Sequence, residues 1–334
     1  ELGYVHHNAT GRSVSFGEIA KEAALLEPPE NPSVKNRSQF NIMGKALSRS
    51  DIPSKVNGTA MFGIDAHSKD MLFAAIKLAP VFGTTLVSAD ISKALAQPGV
   101  ERVIELEESI AVVADNYWRA KNALALVDAT FSTSENDSVS SDSIESRFNS
   151  ALAQSDGSKD KEIGNTESAI STATDIIEAS YRVPYLAHAA MEPMNCTVHV
   201  KGKTVEVWTS TQDALGTVGR IANIAGVPEN SVIFHHTYCG GGFGRRAPLI
   251  NTNMIDHATL IAKEFDVPVK TIFSREDDMQ QDHYRPSVHN NFKASFDSNG
   301  NVTAWKSRFT GPILVPGASH IPYAIKNQSV RVVE

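Results

Sequence analysis

From residue 238 the chain reads Tyr-Cys-Gly-Gly-Gly-Phe-Gly-Arg-Arg-Ala, and these residue types suit the binding of an anionic group. Gly240, Gly241, Gly242 and Gly244 carry no Cβ, so the backbone can close on a ligand and turn its N–H groups toward it. Arg245 and Arg246 add forked donors of the kind that take phosphate oxygens. Two familiar nucleotide loops do not fit. The P-loop needs Lys and then Ser or Thr after its last glycine, where Arg245 and Arg246 stand, and Arg245 occupies the last glycine of the pattern G-x-G-x-x-G. A glycine-rich surface turn with two solvated arginines is the plain alternative at this level.

The surrounding pattern gives the loop a place. Ser231 to Tyr238 is rich in β-branched and aromatic residues and predicts a strand, while Ile255, Ala258, Ile261, Ala262 and Phe265 recur at helical spacing within Pro248 to Phe265. The loop therefore joins a strand to a helix N-terminus, whose partial positive charge favours an anion. Upstream, Thr204 to Thr209 alternates as a half-buried strand and ends at Ser210-Thr-Gln212, just before Asp213, which is suited to cap a helix from Ala214 to Gly226. With a further strand at Val269 to Phe273 this makes a β-α-β-α-β run. Gln212 and the glycine loop both follow the carboxyl ends of strands, where open α/β sheets bind ligands.

The rest of the chain divides by composition into 1–50, 51–131, 132–160 and 161–334. Residues 1–50 read as an appended segment, with a capping box at Ser15-Phe-Gly-Glu18 opening a helix. Residues 51–131 read as a compact α+β domain whose helix at 115–126 turns Trp118, Ala120, Leu124 and Val127 to the sheet. Residues 132–160 are Ser-rich and read as a linker with one short helix, and 161–334 as the second domain. A net charge of -7 argues against a nucleic-acid partner. No stretch reaches the roughly 20 apolar residues of a membrane span. Cys196 and Cys239 are too few for a cysteine-held zinc site or an iron–sulfur cluster within this chain, and the eleven histidines show no H-E-x-x-H spacing. The beginning at Glu1, without an initiator Met, is expected to lie inside a longer gene product, and the compartment stays open.

Several separated stretches in one order resemble the molybdenum-binding large subunit of the xanthine oxidase family of molybdenum hydroxylases, in its isoquinoline 1-oxidoreductase and aldehyde dehydrogenase branch. They are Asp51-Ile-Pro-Ser-Lys-Val-Asn-Gly-Thr59 with Phe62-Gly-Ile-Asp65, His188-Ala-Ala-Met-Glu-Pro-Met-Asn195, Trp208-Thr-Ser-Thr-Gln212, the glycine loop, and Ser274-Arg-Glu-Asp-Asp278. Together they cover roughly residues 40 to 334, and independent matches in order multiply. The resemblance implies an α+β fold: a hammerhead α/β domain followed by the first part of a molybdopterin-binding α/β domain. It implies molybdenum held by a molybdopterin, as the cytosine dinucleotide, so that no protein side chain serves as a metal ligand. It also implies that the Gln212 side chain and the Phe243 N–H bond oxygens on molybdenum or the neighbouring pterin, an amide being able to polarise an oxygen without adding charge. Gly240, Gly241, Gly242 and Gly244 would close on the cofactor, with Arg245 and Arg246 near its phosphates, and Arg285 is a looser candidate for a cation facing substrate.

The activity implied is oxidation of an aldehyde or an aromatic N-heterocycle with oxygen from water, electrons leaving through a small iron–sulfur subunit. Open strand edges leave room for a homo-oligomer. Ala247-Pro248 stands where the purine-oxidising branch has an acidic residue, which favours a bulkier, less polar substrate. The general-base glutamate of the family is expected in C-terminal sequence beyond Glu334, so Glu192 is not nominated, and these residues alone are expected to be inactive. The alternative from another class is a non-catalytic module that binds an anion or a partner on the same scaffold. An NAD-linked dehydrogenase is disfavoured by the missing fingerprint.

Overall fold

The computed structural model describes residues 3–247, 253–312, 317 and 319–334. The chain forms two units, Glu1–Thr59 and Ala60–Glu334. In the first, β1 (Tyr4–His7) and β2 (Arg12–Ser15) make a hairpin that runs into α1 (Phe16–Ala23). The expected capping box is formed: Ser15 Oγ accepts from the Glu18 N–H and the Glu18 carboxylate accepts from the Ser15 N–H. α2 (Ile52–Val56) takes Pro53 in its first turn, the position at which a missing N–H costs nothing. None of residues 3–59 is buried.

The second unit continues with β3 (Leu72–Leu78), β4 (Leu86–Asp90), α3 (Ser92–Leu95), β5 (Val100–Leu106), β6 (Ser109–Ala114), α4 (Tyr117–Leu124), β7 (Asp128–Phe131) and α5 (Ser141–Gln154). Next come β8 (Ser158–Ile163), α6 (Thr166–Ser171), β9 (Asp175–Val183), β10 (Asn195–Lys201), β11 (Thr204–Thr209), α7 (Ala214–Ala225) and β12 (Val232–His236). The chain closes with α8 (Asn253–Ala262), β13 (Val269–Ile272), α9 (Arg275–Gln280), β14 (Val288–Phe296), β15 (Val302–Thr310) and β16 (Asn327–Val332). The expected helix start at Pro248 lies outside the described residues.

Seven strands form the sheet that carries the glycine loop, in the order β12-β11-β10-β13-β3-β6-β5. Its central strands are apolar because both faces are covered: all six residues of β6 are buried. On one face Ile76, Cys196, Val198, Val207 and Phe273 pack with Ile221 of α7 and Met254, Ala258 and Ile261 of α8. On the other, Ala75 and Ala114 meet Ala120 of α4. The helix turns Ala120 and Ala123 inward but leaves Trp118 69% exposed, which corrects the expected face. Positions 118 and 120 lie about 200° apart around a helix, so they cannot share one.

The domain division is corrected as well. Segments 51–131 and 161–334, expected as separate units, share this sheet, because β13 pairs antiparallel with β10 and parallel with β3. All four residues of β13 are buried, and a short strand in that setting needs a neighbour on each side to satisfy its backbone. The Ser-rich stretch 132–160 is also folded rather than a free linker. Its α5 packs on a five-stranded sheet of order β8-β16-β15-β14-β9, with Phe148 edge-on to His289 and Arg308 donating to the Leu152 carbonyl.

Candidate active site

Two stretches are zipped together at the end of the seven-stranded sheet. Where β11 ends, the Gln212 N–H donates to the Arg246 carbonyl at 3.0 Å, and the Thr211 hydroxyl donates to the same oxygen at 3.1 Å. Gln212 Oε1 accepts from the Gly244 N–H at 2.9 Å and the Arg246 N–H at 3.3 Å. Both partners are backbone donors, so the contacting atom must be the carbonyl oxygen and the NH2 group is turned away from them. Behind Gln212, Asp213 caps α7 by accepting from the Gly216 N–H. The sequence thus places a fixed amide donor beside the glycine loop.

The loop itself is strained open. Gly241, Phe243 and Gly244 have φ of 110°, 56° and 108°, and for Phe243 this left-handed backbone is uncommon. The Phe243 ring is 75% exposed. Among the described residues nothing accepts from the N–H groups of Gly241, Gly242 or Phe243, three successive donors on one turn. Two glycines answer to close approach within the protein: a Cβ on Gly240 would stand 2.3 Å from Glu192 Cβ, and one on Gly242 would stand 2.6 Å from Gln212 Oε1.

Arg245 and Arg246 are not solvated arms reaching for phosphates, which corrects the expectation for their guanidinium groups. They are 1% and 2% exposed. Arg245 Nε lies 3.1 Å from Asp278 and 3.0 Å from Asp282, tying the loop to α9 and the segment that follows it. Arg246 Nε donates to the Gly241 carbonyl at 2.8 Å, and its Nη2 donates to the Glu192 carbonyl at 2.7 Å and to Glu192 Oε2 at 3.3 Å. Nη1 of each arginine has no hydrogen-bond partner among the described residues. Burial pushes the Asp278 carboxyl above the ordinary range, against the pull of Arg245.

Glu192 is the hub beneath the loop. Oε1 accepts from the Ile64 N–H and Asn195 Nδ2, and Oε2 from the Gly240 N–H and Arg246. Four donors saturate the carboxylate, which therefore acts as a tie. Two further residues escaped the sequence reading as individuals: Arg275, whose Nη2 donates to the Ala190 carbonyl at 2.6 Å, and Asp282, which receives His188. The stretch beginning at His188 and the Ser274-Arg-Glu-Asp-Asp motif were the available signals. Arg285 is exposed, and its backbone bridges to Leu186; no contact joins it to the loop among the described residues. Cys196 is buried, its thiol pushed up to about 12, while Cys239 donates through Sγ to the Gly241 carbonyl. No three His, Cys, Asp or Glu side chains are placed to hold a metal among the described residues.

Such a site suits a ligand whose oxygens accept hydrogen bonds. It offers three unpartnered N–H groups and a fixed amide NH2, and among the described residues no cluster of side chains to ligate a metal. Residues 150–314 match the molybdopterin cofactor-binding domain. The membrane-bound aldehyde dehydrogenase [pyrroloquinoline-quinone] of Gluconacetobacter polyoxogenes is 28% identical over 89% of this chain and 40% of its own length. Isoquinoline 1-oxidoreductase subunit beta of Brevundimonas diminuta is 28% identical over 86% of this chain and 42% of its own. In fold, the chain is similar to the aldehyde oxidoreductase of Desulfovibrio gigas, with a TM-score of 0.66 at 17% identity over 85% of this chain and 38% of that one. The fold and the loop define an α+β protein built on a molybdopterin-binding domain. The chain is similar to the molybdenum-binding subunits of the xanthine oxidase family, and it spans less than half the length of the two curated relatives named here.

Proposed function

We propose that the chain forms one side of the cofactor site in a molybdenum hydroxylase catalytic subunit, which oxidises an aldehyde or an aromatic N-heterocycle with water-derived oxygen. The observation that carries this is the lock on Gln212. Its Oε1 is held by the Gly244 and Arg246 N–H groups of the loop whose Phe243 N–H is unpartnered among the described residues, which leaves its NH2 turned away from them. When bound, the molybdenum cofactor supplies the two-electron acceptor for the substrate. Gln212 Nε2 and the Phe243 N–H would donate to oxygens of that group and would stabilise negative charge there. The guanidinium groups of Arg245 and Arg246, paired with Asp278, Asp282 and Glu192, hold the loop in shape from beneath. Arg285, exposed at the Leu186 bridge, remains a looser candidate for a cation facing substrate.

The names of the two curated relatives support an aldehyde or N-heterocycle as substrate. The cytosine dinucleotide form of the cofactor and a small iron–sulfur subunit as electron exit belong to the same proposal, and two unpaired cysteines, one buried, leave clusters to a partner. The test is metal and pterin analysis of the full-length gene product together with its Gln212→Ala variant. The variant should keep its molybdenum and lose about 10²–10³-fold in turnover, the usual cost of one such donor. Full-length protein free of molybdenum and pterin would instead leave a non-catalytic anion-binding module.

A further inference from the structure

The proposed function gives His188 no role, yet its setting is more specific than packing requires. Its side chain is 8% exposed and that of Asp282 is 1% exposed. The Asp282 carboxylate accepts from the His188 backbone N–H at 2.5 Å, faces His188 Nδ1 at 2.9 and 3.0 Å through its two oxygens, and takes Arg245 Nε at 3.0 Å. A carboxylate paired with an arginine only accepts, so Nδ1 carries the proton and the ring cannot turn over without breaking this bond. The next residue, Ala189, sits at φ 45°, a left-handed backbone that an alanine adopts only at a cost of about 1–2 kcal/mol and that the surrounding contacts must hold.

The opposite ring atom faces the loop. His188 Nε2 lies 3.2 Å from where a Cβ on Gly244 would be. Gly244 is thus gripped twice, its N–H by Gln212 and its open side by His188. Among the described residues Nε2 has no hydrogen-bond partner.

We propose that His188 is a positioning residue of the cradle, holding a ring N–H of the bound pterin through Nε2 while Asp282 fixes the imidazole. With the proton on Nδ1, Nε2 offers a lone pair, so the matching ligand atom is an N–H, complementary to the oxygens that Gln212 and Phe243 address. A nitrogen heterocycle rich in N–H groups has both. The assignment rests on the cofactor-cradle reading.

The experiment compares wild type, His188→Phe and His188→Gln in the full-length subunit. It measures melting temperature with and without cofactor, and the rate of pterin loss on dilution. Phe keeps the ring in place and leaves Asp282 the His188 N–H and Arg245; Gln can restore a hydrogen bond. For His188→Phe the apo melting point should stay near wild type, the gain on loading should shrink, and pterin should leave about tenfold faster, equivalent to about 1.4 kcal/mol. His188→Gln should fall between. An unchanged gain on loading, or a drop confined to the apo melting point, would show that the ring only packs and overturn the assignment. A wild-type subunit that shows no pterin and no gain overturns the cradle itself, and His188 with it.

Discussion

Glu192→Gln is the sharpest test of how the loop is held. The carboxylate takes donors at 2.9 Å from Ile64, 2.9 Å from Asn195, 2.8 Å from Gly240 and 3.3 Å from Arg246, residues from three parts of the chain. Gln has nearly the same shape, but only one of its ends accepts. Whichever way the amide turns, an NH2 meets two donors, and Arg246, 2% exposed, loses the one carboxylate partner it has among the described residues. Removing one member of a buried pair costs about 3–5 kcal/mol, because the other charge stays uncompensated. Urea unfolding should therefore show a fall of that size at nearly constant m, with loss of bound cofactor from the full-length subunit. A loss under about 1 kcal/mol, the level of an exposed pair, would refute the hub. Unchanged stability with abolished turnover would do so differently, by returning Glu192 to the candidates for the general base.

Two further outcomes follow from the same geometry. Gly242→Val should prevent loading of molybdenum, since even its Cβ would stand 2.6 Å from Gln212 Oε1 and drive the amide out before any ligand arrives; normal metal content in the variant would free the loop from this role. His289, 6% exposed, is held below the ordinary histidine value of 6.5, mainly by burial and then by Arg182. The unfolded chain then binds the proton more readily, so this group's contribution is complete above pH 6.5 and is lost as pH falls toward its lower folded value. Melting temperatures from pH 7 to 5 should decline less steeply in His289→Gln, and parallel declines would discard the linkage.

Local signals were legible where local physics decides. The box at Ser15, the cap at Asp213, the Gly226 terminus with φ 74° and the strand at Thr204–Thr209 each depend on a few neighbouring residues and stand where the sequence put them. The loop was legible as a loop, and its glycines as places of close approach. What approaches two of them was not: Glu192 and Gln212 lie far off in sequence, and no periodicity reports such contacts. Arg245 and Arg246 misled for the same reason. A charged residue after a glycine turn looks solvated until Asp278, Asp282 and Glu192 are known to lie beneath it. The domain division failed because composition marks the polar surface of α5 but not its packed side, and a four-residue strand such as β13 carries no sign of the neighbour it will take.

That neighbour sets a timetable for synthesis. Leu72 meets Val269 across the parallel pair of β3 and β13, and at 5–20 residues per second the wait between them is roughly 10–40 s. Until then β3 and β6, strands rich in Ile, Val and Ala, have one edge of their ladder open and no α8 to cover the face that will hold Met254 and Ile261. A nascent chain of this kind offers a chaperone a defined client surface. It also ties completion of the glycine loop's support to the same late event, since α9 and Asp282, which anchor Arg245, emerge only after β13.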